Sequence, residues 1–260
     1  MAATDVNLVE SLHHRDAFPD SSAAVEFHET HISWVFLVGD YAYKIKKPVK
    51  TEFLDYSTLE KRQRLCREEL RLDSRFADDL YLDVVPICIV DGKLRVESIG
   101  EPVEYAVKMR RFPSDALLSE RLKAGRLTLH EVSQLSESIA DFHQSAARCE
   151  HADAMSWPGF VFDNMRSMLR QLKQACSAQT VTAIYAVEQW SESVIRKYGH
   201  QFTQRAEDGF IRECHGDLHL ENVVNWQGRF LPFDGIEFNP RMRWIDVMND
   251  AAFLMMDFAA

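Results

Sequence analysis

The sequence predicts an α+β chain, rich in strands up to about residue 110 and mostly helical beyond it. Three observations carry that expectation. Runs of strand-forming residues come in pairs around two-residue turns, 33–38 and 41–46 about Gly39-Asp40, then 83–90 and 93–98 about Asp91-Gly92. Between the pairs, 57–77 places Leu65, Leu72 and Phe76 at helical spacing. After Phe112-Pro113 the text turns helical, which sets a boundary between a β-rich part, 1–110, and a helical part, 111–260, that holds most of the polar chemistry.

Each element has a local reason. The run 24–46 reads as a hairpin because Val, Ile, Phe, Trp and Tyr cluster on both sides of Gly39-Asp40. Helix 57–77 carries Lys61, Arg62, Arg64 and Arg67, read as a solvated face. VEYAVKMR at 103–110 alternates and makes a further strand. A short helix is expected at 116–124, and Thr128 with Glu131 has capping-box spacing at the start of helix 128–148. One or two helices fill 160–198, preceded by Trp157-Pro158-Gly159, read as a loop wedge. A short β segment spans 214–234, and a last helix covers 244–258. On that helix Asp246 and Asp250, four apart, suit either an exposed surface or a brace for the loop before it.

Composition limits the functions available. At 260 residues, 46% hydrophobic and 27% charged, the chain has the make-up of a globular protein. Thirty Lys and Arg against forty Asp and Glu give a net charge of -10, which argues against nucleic-acid or anionic-membrane binding and favours cationic ligands. The longest apolar stretches, such as 251–256, fall far short of the roughly 20 residues that cross a bilayer. The opening MAATDVNLVE has neither a basic nor an apolar signal region. Cys66, Cys88, Cys149, Cys176 and Cys214 are scattered without a CxxC pair, as reduced thiols of a cytoplasmic protein would be.

The polar chemistry concentrates in His215-Gly-Asp-Leu-His-Leu-Glu-Asn222. Asp217 stands five residues before Asn222, the spacing of a kinase catalytic loop. That chemistry needs an aspartate beside the attacking hydroxyl and a neutral amide oxygen that ligates magnesium without acting as a base. Twelve residues beyond Asn222, across a hairpin tipped by 225–228, Asp234 supplies the second acid that holds the metal. Upstream, Tyr41-Ala-Tyr-Lys44 has the form of the strand lysine that meets phosphate oxygens. Glu69 falls on the buried face of the helix that follows, where a carboxylate needs a cation, and Lys44 is its natural partner. Lys46 shares the face of Lys44, and Glu68 lies within a turn of Leu65 and Leu72, so each competes for the same pairing.

In their order, YAYK, CREELRL, HGDLHLEN and FDGIEFN resemble the aminoglycoside phosphotransferase-like kinases, in the group that often carries this region ahead of a P-loop ATPase domain. The resemblance runs from about His28 to the C-terminus and is most specific in HGDxHxxN with the downstream D-G-x-E-F. It implies a protein-kinase-like two-lobed fold with a nucleotide-binding first lobe. It also implies ATP and magnesium as cofactors and transfer of the γ-phosphoryl group to a hydroxyl of a small molecule, such as an aminoglycoside-like compound or another metabolite. By the same resemblance Asp217 is the catalytic base, Asn222 and Asp234 ligate the metal, and Lys44 with Glu69 forms the phosphate-binding ion pair. The stretch 107–111, with Met109 and Arg110, holds adenine. No G-x-G-x-x-G precedes Lys44, so the turn 29–33, with Thr30 and Ser33, would cover the phosphates. The sequence stops 26 residues after Asp234 and contains no G-x-x-x-x-G-K-[ST], which reads as a shortened member or a fragment without the fused ATPase domain.

Two other functions compete. A nucleotide-binding regulatory domain would keep the pocket without transferring phosphate. A metallohydrolase would draw on His215, Asp217 and His219, which alternate and on a strand would face one zinc ion.

Overall fold

The computed structural model describes residues 3–259. Along the chain run α1 (Ala3–Leu12), β1 (Val25–Glu29), β2 (Ser33–Val38), β3 (Tyr41–Lys46), α2 (Leu59–Ala77), β4 (Tyr81–Val90), β5 (Lys93–Val96) and β6 (Pro102–Arg110). There follow α3 (Leu118–Lys123), α4 (Leu129–Ser145), α5 (His151–Ala175), α6 (Ala178–Glu207), β7 (Ile211–Glu213), β8 (Val223–Trp226) and β9 (Arg229–Pro232). The one-turn α7 (Pro240–Arg243), β10 (Trp244–Asp246) and α8 (Val247–Ala259) complete it. The residues form two compact units that interleave in sequence. The first takes the chain up to Ala140, His215–Arg243 and the chain from Phe253; the second takes Asp141–Cys214 and Trp244–Ala252.

The first unit is built on a six-stranded antiparallel sheet in the order β1-β2-β3-β6-β4-β5. Its tight turns occur where the sequence supplies residues that tolerate left-handed backbone: Gly39 has φ +57°, and Asp91 and Gly92 have φ +51° and +74°. Strand alternation divides the apolar residues between two faces. Phe36, Tyr43, Ile45 and Ile87 pack with Leu12 and Phe18 on one side. Ala42, Val107 and Met109 pack with Cys66, Ala77 and Leu231 on the other.

Helix α2 starts at Thr58, whose hydroxyl accepts from the Lys61 amide at 3.3 Å. It buries Leu65, Cys66, Glu69, Leu72 and Asp73. The expected solvated basic face holds for Arg64 and Arg67 but not for Arg62. Arg62 is buried because Glu104 of β6 offers it a carboxylate, with Nε 3.0 and 2.9 Å from the two oxygens. The Thr128–Glu131 capping box is present, with Glu131 N 3.2 Å from Thr128 Oγ1 and Thr128 N 2.9 Å from Glu131 Oε2. Leu118, Leu135, Leu218 and Phe230 form the core beneath the β8–β9 hairpin.

In the second unit α5 and α6 form a long antiparallel pair, and β7 pairs with β10. Trp157-Pro158-Gly159 is not a loop wedge but lies inside α5. Pro158 deprives the helix of one amide, yet Trp157, 5% exposed, stacks on Phe202 at 6.3 Å and joins a core of Ala206, Ile211 and Ile245. Tertiary burial thus overrides the local Pro-Gly signal. Asp246 and Asp250 are likewise buried, not exposed. Asp246 takes a two-pronged bond from Arg205 at 2.6 and 2.7 Å, and Asp250 lies 3.0 Å from His143 Nε2. All five cysteines are free thiols, and among the described residues no helix is long and apolar enough to cross a membrane.

Candidate active site

The site lies within the first unit and begins at β3. Lys44 and Lys46, two residues apart, project to one face of the pleat. Glu69 of α2, fully buried, meets both: Oε1 is 2.8 Å from Lys44 Nζ and Oε2 is 2.5 Å from Lys46 Nζ. Lys44 also pairs with Asp234, and Lys46 with Glu237. Glu237 in turn accepts from the Tyr56 hydroxyl. The result is a row of alternating charge, Asp234, Lys44, Glu69, Lys46, Glu237. Burial works against the charged forms, but each group has an opposite neighbour. Asp234 and Glu69 hold the Lys44 ammonium well above its ordinary value, Glu237 and Glu69 do so for Lys46, and the two lysines hold Glu69 below its own.

This settles the geometry the sequence left open. Glu69 is paired with both lysines, whereas Glu68 serves Arg71 and Arg243. The lysines differ in access: the Lys44 side chain is 11% exposed and that of Lys46 is 1%.

Asp234 follows the β8–β9 hairpin, whose end is tied back by Phe233 N to Asn222 O at 3.0 Å. Its backbone is left-handed, φ +62°, and its amide donates to the Tyr81 hydroxyl at 3.0 Å. The next amide, of Gly235, donates to Asp73 Oδ1 at 2.9 Å. A side chain at 235 would crowd that oxygen and the His215 carbonyl, at 3.1 and 3.2 Å, which accounts for glycine there. Asp73 is fully buried and its Oδ2 has no hydrogen bond. Burial first, and the charge of Glu69 next, push its carboxyl well above the ordinary range.

The loop 215–222 is shaped by its own side chains. His215 Nε2 bonds the Phe233 carbonyl at 2.9 Å and its Nδ1 accepts from the Asp217 amide at 3.3 Å. Both ring nitrogens are thus engaged, which leaves the zinc reading without its first ligand. Gly216 has φ +88°, and a Cβ there would lie 2.8 Å from the Met242 carbonyl oxygen. Asn222 spends its amide hydrogens on Asp217, at 3.0 Å to the carbonyl and 3.3 Å to Oδ2, which leaves its side-chain oxygen as the group that could ligate a cation. His219 Nε2 lies 3.5 Å from Asp217 Oδ2, and that carboxylate raises the imidazole above its ordinary value. The side chains of Asp217 and Asp234 are 45% and 44% exposed, open to a reactant.

Of the other expected ligand contacts, Ser33 borders this row, while Thr30, Met109 and Arg110 make their contacts elsewhere. The Thr30 hydroxyl closes the β1–β2 turn by accepting from Ser33 N at 3.0 Å. The Ser33 hydroxyl is buried without a partner, and Ser33 stands directly across the sheet from Lys46. Met109 lies in the core beside Ala42, and the Arg110 and Arg111 amides bond the Leu80 and Asp40 carbonyls. Sequence reasoning assigned no role to Glu237, Tyr56 or Asp73. Glu237 stands inside the FDGIEFN motif; Tyr56 and Asp73 carry no local signal.

These parts fit magnesium and ATP. Asp234 and Asn222 offer a carboxylate and an amide oxygen, the donors magnesium takes, and Ser33 offers an unused buried hydroxyl on the face of the lysines. A strand lysine paired to a helix glutamate, an aspartate-to-asparagine loop and a following aspartate-glycine pair are the working parts of a protein-kinase-like fold.

No family model matches the sequence. The chain is 32% identical over 234 residues to "Uncharacterized protein Rv2004c" of Mycobacterium tuberculosis and, equally, to "Uncharacterized protein Mb2027c" of Mycobacterium bovis. The match takes in 90% of this chain but spans only 45% of those relatives. Among solved structures, a choline/ethanolamine kinase family protein from Mesorhizobium loti is similar at 15% identity and a TM-score of 0.48, over 96% of this chain and 70% of that one. A choline kinase from Cryptosporidium parvum is similar at 10% identity and a TM-score of 0.47, over 96% of this chain and 69% of that one.

Proposed function

We propose that this chain is an ATP-dependent, magnesium-requiring phosphotransferase that moves the γ-phosphoryl group to a hydroxyl of a small molecule. The observation that carries the reading is one arrangement: an open Asp217 carboxylate bonded to Asn222, joined through the Asn222–Phe233 bond to an Asp234 that pairs with Lys44, which in turn pairs with Glu69. Bound magnesium-ATP would supply the phosphoryl group and the charge that neutralises it.

The residues would divide the remaining tasks. Lys44 grips phosphate oxygens while Glu69 holds its ammonium in place. Asp234 and Asn222 hold the metal. Asp217 accepts the proton of the acceptor hydroxyl as the new oxygen–phosphorus bond forms, and the Asn222 amide keeps its carboxylate aimed. Backbone at 107–111, with Met109 and Arg110, would hold adenine, and the Thr30–Ser33 turn would lie over the phosphates. Positioning and electrostatics then provide the catalysis. The net charge of -10 favours a cationic acceptor. The free thiols agree with a cytoplasmic location. In the longer relatives, the P-loop ATPase domain implied by the sequence resemblance would occupy the rest of the chain.

The test is ADP release across a panel of amino alcohols, choline, ethanolamine, sugars and aminoglycosides, with calorimetry of magnesium-ATP binding alongside. Asp234→Asn should weaken magnesium-ATP at least tenfold, about 1.4 kcal/mol. Unchanged affinity would remove Asp234 from the metal site, and nucleotide binding without turnover on any acceptor would favour the regulatory-domain reading.

A further inference from the structure

A second concave site lies on the first unit, and none of the five residues of the charged row lines it. It is a cavity of about 1120 Å³ floored by Trp34 and walled by α1, the start of α2 and the β4–β5 hairpin. That volume matches or exceeds those that hold drug-sized ligands. Strand alternation separates it from the candidate active site: Ser33 and Lys46 face the row, whereas their chain neighbours Trp34 and Lys47 line the cavity.

The lining has a definite chemistry. Leu8, Val49, Leu59, Ile89, Leu94 and Val103 give it apolar walls, and Ile89 and Val103 stay 58% and 38% exposed. Four Lys and Arg face three Asp and Glu in the wall, a local positive excess in a chain of net charge -10. Two of these cations are already matched, Arg62 by Glu104 at 2.7 Å and Lys47 by Glu29 at 2.6 Å. The other two are not: among the described residues Lys93 makes no ion pair and the Arg95 guanidinium reaches only the carbonyl of Asp16. An apolar trough with two unmatched cations at one end suits a small organic anion with an aromatic or branched apolar body.

The cavity wall is also wired to the site. Arg62 NH1 donates to the Tyr56 carbonyl at 3.0 Å, and the Tyr56 hydroxyl donates to Glu237 at the end of the charged row. Glu69 lies seven residues, about two turns, beyond Arg62 on α2. We propose that this cavity is a second ligand site for such an amphipathic anion, and that its occupancy shifts the alignment of β3 and α2 and so tunes nucleotide binding. The coupling half rests on the phosphotransferase reading; the binding half does not.

The probe is 8-anilinonaphthalene-1-sulfonate, an apolar aromatic body bearing one anion. Fluorescence titration of the full chain should give saturable binding that Lys93→Glu and Ile89→Glu each weaken tenfold or more. Both positions are exposed, so neither change threatens the fold. Trp190→Ser, at an exposed aromatic on α6, should leave binding unchanged. Equal binding by the wild type and both cavity variants would overturn the site. With the site supported, a shift of at least twofold in magnesium-ATP affinity at saturating probe supports the coupling, which must be reciprocal, and an unchanged affinity overturns it. If magnesium-ATP does not bind even without probe, the phosphotransferase reading and the coupling fail together, while the titration still decides the cavity.

Discussion

Replacing Glu237 with Gln tests whether the charged row is an energetic unit. Glu237 is 4% exposed and faces Lys46 at 1% and Tyr56 at 0%, so none of the three can turn to water once its partner is lost. Removing one member of a buried ion pair costs about 3–5 kcal/mol. Lys46 keeps Glu69 and the glutamine oxygen still accepts a hydrogen bond, which places the expected loss near the lower end, about 3 kcal/mol. For a chain of this size each kcal/mol moves Tm by roughly 2–4 °C, so the variant should melt about 6–12 °C below the wild type. Glu237 also anchors the segment that presents Asp234, three residues earlier, so magnesium-ATP affinity should fall about tenfold. Lys46→Met combined with Glu237→Leu removes both charges and should recover much of the lost stability. Calorimetric melting of the three proteins is the assay. A Glu237→Gln protein melting within a degree or two of wild type would refute the reasoning, because the contacts seen at Lys46 would then carry no net energy.

Asp217→Asn should cut turnover by about 10²–10⁴-fold and leave the magnesium-ATP Kd within about twofold; equal background ATP hydrolysis in variant and wild type would show that Asp217 is not the base. Gly216→Ala places a side chain against the Met242 backbone at a left-handed φ, so it should cost at least about 1–2 kcal/mol, and a wild-type urea midpoint would contradict this. Asp73 has its carboxyl raised in the folded state, so its contribution to stability is full below the unfolded value and fades as pH climbs through the folded one. Asp73→Asn should therefore gain in Tm over wild type as pH rises above the ordinary carboxylate range, and a gain that does not change with pH would count against a titrating Asp73. His219 is raised by Asp217, so its stabilisation is complete below the ordinary imidazole value and lost as pH rises through the folded one. An NMR titration should show its midpoint falling in Asp217→Asn, and an unmoved midpoint would mean the two do not interact.

Much of this is legible in the sequence where one short segment determines its own geometry. Gly39-Asp40 and Asp91-Gly92 mark their hairpins because left-handed backbone is cheap at such residues. Thr128 and Glu131 mark the start of α4 through their own hydrogen bonds. The helical period of α2 turns Glu69 inward, to where Lys44 is found 2.8 Å away. What escapes such reading depends on partners distant in sequence. Lys46 belongs to a run of lysines that resembles a solvated edge, and only the approach of Glu69 and Glu237 makes it the more buried of the pair. Arg62 sits among basic residues of the same appearance and is drawn in by Glu104, 42 positions away. Asp73 looks like any helix-surface acid until Gly235, 162 positions on, donates to it. At Trp157-Pro158-Gly159 the local turn signal is real but weaker than burying an indole against Phe202.

The pleat of β3 makes the Gly39-Asp40 turn as much a part of the site as the lysines themselves. Lys44 and Lys46 alternate with Tyr43 and Ile45, which are 2% and 0% exposed in the opposite core. Inserting one residue into this turn and carrying the slip along the strand would exchange the two sets, sending tyrosine and isoleucine toward Glu69 and driving two ammonium groups into the apolar layer. Inserting two would restore the parity. This hairpin should therefore tolerate length changes only in even steps, so that a one-codon insertion far from any charged group does more damage than many substitutions made among them.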